Sequence, residues 1–336
     1  SAARDATLPA LRASGDDDDL ERDPAARAAR LPSLAWRAAR ESLAAGRPVL
    51  VQVPRRGYHL SLQCGTCRAS ARCPKCAGPL GRTSQQTAPS CRWCASVAVD
   101  WQCAECGGTS LRAGVVGAGR TAEELGRAFP GVAVRTSGGD HVLAQVPNKP
   151  LLVVATPGAE PVAEGGYGAA LLLDGWALLG RADLRAGEEA LRRWLGAAAL
   201  VCPGADGGRV VVMAPGELRP VQALLRWRPD WYAERELGER SALHLPPAAR
   251  LAALTGGTDA VKELLSLLEL PAGAEVLGPV PVAGRSGEEA GERMLVRVPR
   301  RDAAALSTAL HAAAAIRSAR KSPGAVRIEL DPAVIA

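Results

Sequence analysis

The sequence predicts an α/β protein: a mostly parallel sheet covered by helices on both faces, interrupted near its start by a cysteine-rich insertion and followed by a compact α+β domain. Three observations predict this. Apolar runs such as VLVQV, LLVVATPG and RVVVMAP are continuous rather than alternating, which is how strands buried on both faces read. Segments of helical spacing fall between those runs, the order of a layered βα arrangement. Eight of the nine cysteines fall in four CxxC pairs within a short stretch.

At 336 residues, 47% hydrophobic and 23% charged, the chain is long enough for two or three domains with real cores. Aromatics make up only 3%. Residues 1–30 hold the acidic run Asp16 to Asp19 and an Arg/Ala/Asp/Pro-rich stretch with little to bury, and read as a mobile linker. The chain opens on Ser1 and its only methionines are Met213 and Met294, so it is expected to be cut from a longer one.

From Leu31, Leu34, Ala38 and Leu43 lie near helical spacing, Gly46 ends the helix, and Val49 to Val53 form a strand. Beyond the cysteines, TAEELGRAFPG reads as a helix ended by Pro130, and VAVRTSG, LLVVATPG and GAALLLDGWALL as strands. LRAGEEALRRWLGAAALV reads as a helix and RVVVMAP as a strand. Residues 217–240 read as a helical connection with Trp227 and Trp231 at i and i+4, packing rather than stacking on bases. From about residue 241 the pattern is that of the α+β domain: helix VKELLSLLEL, the glycine/proline-rich GPVPVAGRSG, strand RMLVRVP, helix DAAALSTALHAAAAIRSA and strand VRIELDP.

The cysteine pairs are Cys64/Cys67, Cys73/Cys76, Cys91/Cys94 and Cys103/Cys106. Each CxxC turn aims two thiolates at one tetrahedral ion, and eight sulfurs suit two zinc ions with none left over. No signal-peptide pattern or long apolar span occurs, which points to a reducing cytoplasm and disfavours a disulfide framework; regular pairing disfavours an iron–sulfur cluster. Cys202 stands alone as a buried thiol, and His59, His141, His244 and His311 are scattered without metal or triad spacing. No hydrolytic motif occurs.

Net charge is +6, and nearly all positive charge is guanidinium, the group suited to bidentate phosphate contact. Between Pro54 and Arg112 lie eight basic residues against Asp100 and Glu105. Two tetrathiolate zinc sites at −2 each bring that formal +6 to about +2. Of the basic residues, Arg55, Arg56, Arg68, Arg72 and Arg92 are the DNA-binding candidates; neutralising zinc thiolates is the alternative duty. Trp93 and Trp101 read as covers over the zinc sulfurs, with base stacking as the alternative.

A strand leading to PRRGY, four CxxC pairs, then a glycine-rich segment and TAEELGRAFPG resembles the PriA family, the bacterial primosomal protein N′ that restarts replication forks. ALLLDGWALLGRADLRAGEEAL, VQALLRW, ERELGER, LPPAARLAAL, GPVPV and the closing ELDP match family landmarks in order, so the resemblance covers roughly residues 31–336. It implies a RecA-like helicase lobe 2 over residues 31–63 and 107–240, a double zinc-ribbon insertion over 64–106, and a C-terminal domain over 241–336. It further implies nested zinc sites: Cys64, Cys67, Cys103 and Cys106 hold one ion, Cys73, Cys76, Cys91 and Cys94 the other.

Two departures bear on activity. Where active members carry a GTQM-type sequence and AKG, this chain reads ATPGAEPVAEGG, and where they carry AGRAGR it reads LRRWLGAAALV. Arg192 and Arg193 lie before that point and read as solvated helix-face charges rather than an arginine finger. The chain therefore resembles the degenerate, ATPase-lacking PriA-like branch of high-GC Gram-positive bacteria. The resemblance implies binding of forked or partly single-stranded DNA and assembly of a primosome that loads the replicative helicase DnaB, with two zinc ions and no expected ATP. One alternative is an active 3′–5′ DNA helicase whose motor residues lie upstream. Another is an adaptor for the tail of single-stranded-DNA-binding protein, with Arg293 as the contact candidate.

Overall fold

The computed structural model describes residues 7–14, 30–54, 62–67, 69–82, 88–91, 94–113, 117–181, 183–282 and 291–332. It divides into two compact units, Ser1–Tyr232 and Ala233–Ala336.

The first unit is built on a six-stranded, all-parallel sheet. In chain order its strands and helices are β1 (Ala10–Ala13), α1 (Ser33–Ala44) and β2 (Val49–Gln52). The insertion follows, with β3 (Leu62–Cys64), β4 (Leu80–Gly81), β5 (Ser90–Cys91) and β6 (Leu111–Ala113). The chain then returns through α2 (Ala118–Ala128), β7 (Ala133–Ser137), β8 (Gln145–Val146), β9 (Leu151–Ala155), β10 (Val162–Ala163) and β11 (Ala169–Leu172). Helices α3 (Gly175–Leu179) and α4 (Ala186–Ala198), strand β12 (Arg209–Val212), α5 (Arg219–Leu225) and α6 (Pro229–Ala242) complete the passage into the second unit. The sheet order is β1-β12-β11-β2-β9-β7.

Continuous apolar strands need cover on both faces, and here both have it. Leu50, Val153, Ala170, Leu172, Val210 and Val212 point to one face, where Leu191 and Trp194 of α4 and Val221 and Leu224 of α5 meet them. Their neighbours Val49, Val51, Leu152, Val154, Leu171 and Val211 point to the other, against Ala35, Ala38 and Ala39 of α1 and Leu125 and Phe129 at α2. Every residue of β9 is fully buried. The period of two thus splits one run of aliphatic residues between two cores.

Three expectations change. Residues 1–30 are not a linker throughout, because Ala10–Ala13 add β1 as a parallel edge strand to β12, with Ala10 opposite Arg209 and Ala13 opposite Val212. Four residues with one buried position carry too weak a pattern to register against the polar stretch that follows. Arg30 is also anchored: it donates to Asp174 at 3.1 Å and to the Thr121 hydroxyl at 2.7 Å, and pairs with Glu124. Trp227 and Trp231 do not share a helix, since Trp227 adopts φ +52° between α5 and α6; both pack against the first core.

In the second unit β13 (Ala249–Gly256), α7 (Thr258–Ser266), β14 (Glu275–Val282), β15 (Gly291–Pro299), α8 (Ala303–Ala319) and β16 (Val326–Leu330) form an antiparallel sheet of order β14-β15-β13-β16. The glycine/proline-rich GPVPV is part of the edge strand β14, where the missing proline N–H groups cost no interior ladder bonds. Ala252, Leu254, Val296 and Val298 pack against Val261 and Leu264 of α7 and Leu306, Leu310 and Ala313 of α8. Arg317, nearly buried, ties the two helices together: it donates to Glu263 at 2.8 Å and to the carbonyls of Pro323 and Gly324.

Candidate metal centre

The insertion is a hairpin within a hairpin. Outer strands β3 and β6 pair antiparallel, with Leu62 opposite Ala113 and Cys64 opposite Leu111. Inner strands β4 and β5 pair Leu80 with Cys91 and Gly81 with Ser90. Strands of two or three residues are far below the length that is stable alone, so something else must hold this segment.

The four CxxC turns repeat one backbone pattern. The N–H of the first cysteine donates to the carbonyl five residues on: Cys64 to Ala69, Cys73 to Gly78, Cys91 to Ser96 and Cys103 to Gly108. In the three turns whose following residue is described, that residue is left-handed, at φ +56° for Ala77 and Ala95 and +70° for Gly107. Backbone N–H groups two or three residues on point back at the first thiol: Thr66 to Cys64 Sγ and Lys75 to Cys73 Sγ at 3.4 Å, Cys94 to Cys91 Sγ at 3.5 Å.

These turns bring the sulfurs together in two groups, Cys64, Cys67, Cys103 and Cys106, and Cys73, Cys76, Cys91 and Cys94, with ligand atoms within 4.8 Å of one another. Sγ–Sγ separations are 3.6 Å for Cys64–Cys106 and Cys67–Cys103, 3.8 Å for Cys73–Cys94 and 3.4 Å for Cys76–Cys91. A tetrahedron with metal–sulfur bonds of ~2.3 Å has edges of roughly 3.8 Å, so each group fits one tetrahedral metal ion. Either group could hold such an ion, and an all-thiolate donor set is consistent with zinc.

The thiols are electrostatically primed for this. Burial raises Cys64, but backbone N–H groups of Cys67 and Thr66 and the neighbouring thiols outweigh it and bring the thiol down to about 6. Burial and three neighbouring thiols push Cys67 up to about 12. In the inner group the Ser96 hydroxyl and N–H bring Cys94 down to about 6. Cys76 is lowered by the Gly78 N–H, but Cys91 and Cys94 prevail and push it up to about 12. In each group one thiol is thus brought down, Cys64 or Cys94, while a neighbour, Cys67 or Cys76, is pushed up.

The sulfurs are packed as well as gathered. Leu62, Ala71, Leu80, Ala98 and Trp101 form a small core with Cys64, Cys73, Cys91 and Cys103. Trp101 is buried and its indole N–H donates to the Arg72 carbonyl at 2.9 Å, so it serves this core and not a base. Gly108 is the glycine that this packing needs: a β-carbon there would lie 2.9 Å from Thr66 Oγ1 and 3.4 Å from the sulfurs of Cys64 and Cys106.

The remaining candidates are placed as follows. Arg72 is exposed on the insertion, while Arg55, Arg56, Arg68, Arg92 and Trp93 lie outside the described residues. Arg293 lies half-buried on β15 with its Nε 3.3 Å from Thr255 Oγ1. Cys202 is buried, and the Arg47 guanidinium reaches within 2.7 Å of its sulfur. Arg192 is exposed and paired with Glu189, as a helix-face charge should be, but Arg193 is only 18% exposed. It pairs with Glu189 and donates to the Pro157 carbonyl at 2.9 Å, at the carboxyl end of β9. Beside it Gln52 Nε2 and the Gly158 N–H hold the Glu160 carboxylate at 2.6 and 2.8 Å. The left-handed alanines and the Gly108 approach were not foreseen, because alanine carries no turn signal.

Comparison with known proteins gives these features a family context. Residues 241–333 match the family model described as the primosomal protein N C-terminal domain. The chain is 53% identical over 320 residues to a Mycobacterium leprae protein named probable replication restart protein PriA, covering 93% of this chain and 49% of that one. A Mycobacterium tuberculosis protein of the same name is 52% identical over 348 residues, covering 98% of this chain and 52% of its own length. The replication restart protein PriA of Treponema pallidum is 27% identical over 264 residues, covering 71% and 40%. The chain spans about half the length of the mycobacterial relatives it matches.

Proposed function

This chain is a homologue of the replication restart proteins named PriA along nearly its whole length, and we propose that it acts in replication restart as a DNA-binding and assembly module. In this reading the two cysteine groups hold zinc, the insertion and the C-terminal domain contact branched or partly single-stranded DNA, and the bound protein recruits primosome proteins that load the replicative helicase DnaB. Half-identity across almost the entire chain, insertion and C-terminal domain included, is the observation that carries the reading.

A metal ion held by four thiolates in either group would neutralise their charge and close the turns. The chain's own residues do the rest. Cys64 and Cys67 and the distant Cys103 and Cys106 clamp the base of the outer hairpin, so the inner hairpin is carried as one piece. Arg72 and its basic neighbours supply phosphate contacts, which makes affinity fall steeply with salt. Arg293 is the proposed contact for the tail of single-stranded-DNA-binding protein.

We further propose that no ATP is turned over. Arg193, which reaches the Pro157 carbonyl just beyond the carboxyl end of β9, is committed to Glu189 and Pro157, and Glu160 occupies donors of Gln52 and Gly158. Anisotropy of labelled forked DNA titrated with the protein tests the binding reading: tight binding at low salt, weakened by chelation, is expected. Absence of binding at low salt overturns it. Robust DNA-stimulated ATP hydrolysis by the full-length protein overturns the inactive-motor part alone.

A further inference from the structure

The chain has seven tryptophans, three tyrosines and one phenylalanine, and it spends the phenylalanine beneath a surface tryptophan. Trp36 on α1 stacks on Phe129, with ring centroids 6.0 Å apart and planes 30° from parallel. Phe129 is buried, whereas Trp36 is 37% exposed and is the exposed aromatic among the described residues. The Arg40 guanidinium lies 4.6 Å from the Trp36 ring centroid. Arg37 and Ser33 line the same shallow groove.

The charges around this ring are unspent. Elsewhere in the first unit Arg30, Arg181, Arg192, Arg193, Arg209 and Arg228 each pair with a carboxylate. Neither Arg37 nor Arg40 meets one among the described residues, and Glu41, the acid in the groove, is taken by Arg209. Helix α1 holds the body through Ala35, Ala38 and Ala39, and neither Arg37 nor Arg40 is part of that core.

An exposed indole under a flat, weakly hydrated guanidinium, beside a second free guanidinium, is a surface for stacked bases and phosphates. We propose that Trp36, Arg37 and Arg40 form a contact for single-stranded DNA, separate from the cysteine insertion and the C-terminal unit. Unstacked bases lie on the Trp36–Arg40 pair, and Arg37 takes a phosphate. A duplex keeps its bases stacked inside and offers only phosphates here. This deepens the DNA-binding reading above and rests on it.

The test is anisotropy of a labelled oligo-dT, and of a duplex of equal length, titrated at low salt with the full chain and its variants. Trp36→Ala should weaken oligo-dT binding on the order of ten-fold and leave the duplex unchanged, while Trp36→Phe should retain most affinity. The double variant R37A/R40A should also weaken binding and lower the salt slope by about one, the phosphate contact of Arg37. Unchanged oligo-dT affinity in Trp36→Ala, with chelation still weakening binding, overturns this surface and leaves the wider reading standing. An equal loss on the duplex overturns the stacking role. A parent chain that binds neither DNA overturns both.

Discussion

The parallel-sheet body and the cysteine insertion lie in one unit of the chain but are held together by different physics. The body sets strands of four or five mostly aliphatic residues between helices on both faces, and fully buries side chains such as Leu50, Leu151, Leu172 and Trp194. The insertion has strands of two or three residues and a core in which four of nine buried members are cysteines. Burial at about 25 cal/mol per Å² suffices for the first. The second has little apolar surface, and its order is expected to depend on a cation at each group of four sulfurs.

Metal removal breaks the comparison most directly. Chelation should abolish protection of amides across 62–113 in hydrogen exchange while β2, β9 and β11 stay protected; retained protection in the insertion would show that its small core suffices. Next in size is the converse experiment. Trp194→Ala should cost the body about 3–5 kcal/mol in denaturant unfolding, and leave two metal ions bound per chain by elemental analysis. Trp194→Phe should cost far less, because the Trp194 indole N–H is buried without a partner and little is lost with it.

A finer test separates the two metal groups. Gly108→Val pushes into Thr66 and the sulfurs of Cys64 and Cys106, so the outer group should lose affinity on the order of ten-fold while the inner group keeps its ion. Metal competition with a chromophoric chelator reads both. The smallest effect concerns the metal-free thiols. With the metal removed and the insertion's order lost, the eight thiols should alkylate alike at pH 7; an order with exposed Cys94 first and Cys67 and Cys76 last, as values of about 6 and about 12 in the folded turns dictate, would show that the small core outlasts the metal. In that second case the advantage of Cys94 should disappear below pH 6, since its thiolate is lost as pH falls through its own value. Mass spectrometry of the labelled peptides gives the order directly.

Legibility followed the same division. In the body, the runs at 49–53, 151–155 and 209–212 were readable because burial on both faces leaves no polar position to confuse the pattern. Strand β1 was missed because four residues at a sheet edge carry almost no pattern of their own. The edge strand β14 was missed because Pro279 and Pro281 look like turn residues until an edge makes their missing donors harmless. Arg193 was read as a solvated charge, for nothing local reveals that the Pro157 carbonyl lies within its reach.

Sequence alone determined the chemistry of the candidate site: eight thiols in four turns, enough for two tetrahedral ions, since a CxxC turn builds its geometry from adjacent residues. It also determined that the sheet would be buried on both faces, because an unbroken apolar run is written in the strand's own residues. Only the tertiary structure decided which turns share an ion, as Cys64 and Cys106 are brought together by the pairing of β3 with β6 across the whole insertion. It alone decided which arginines are spent in ion pairs and which, like Arg37 and Arg40, face solvent beside an exposed ring. Long-range partners depend on how the chain returns on itself, and no local pattern records that.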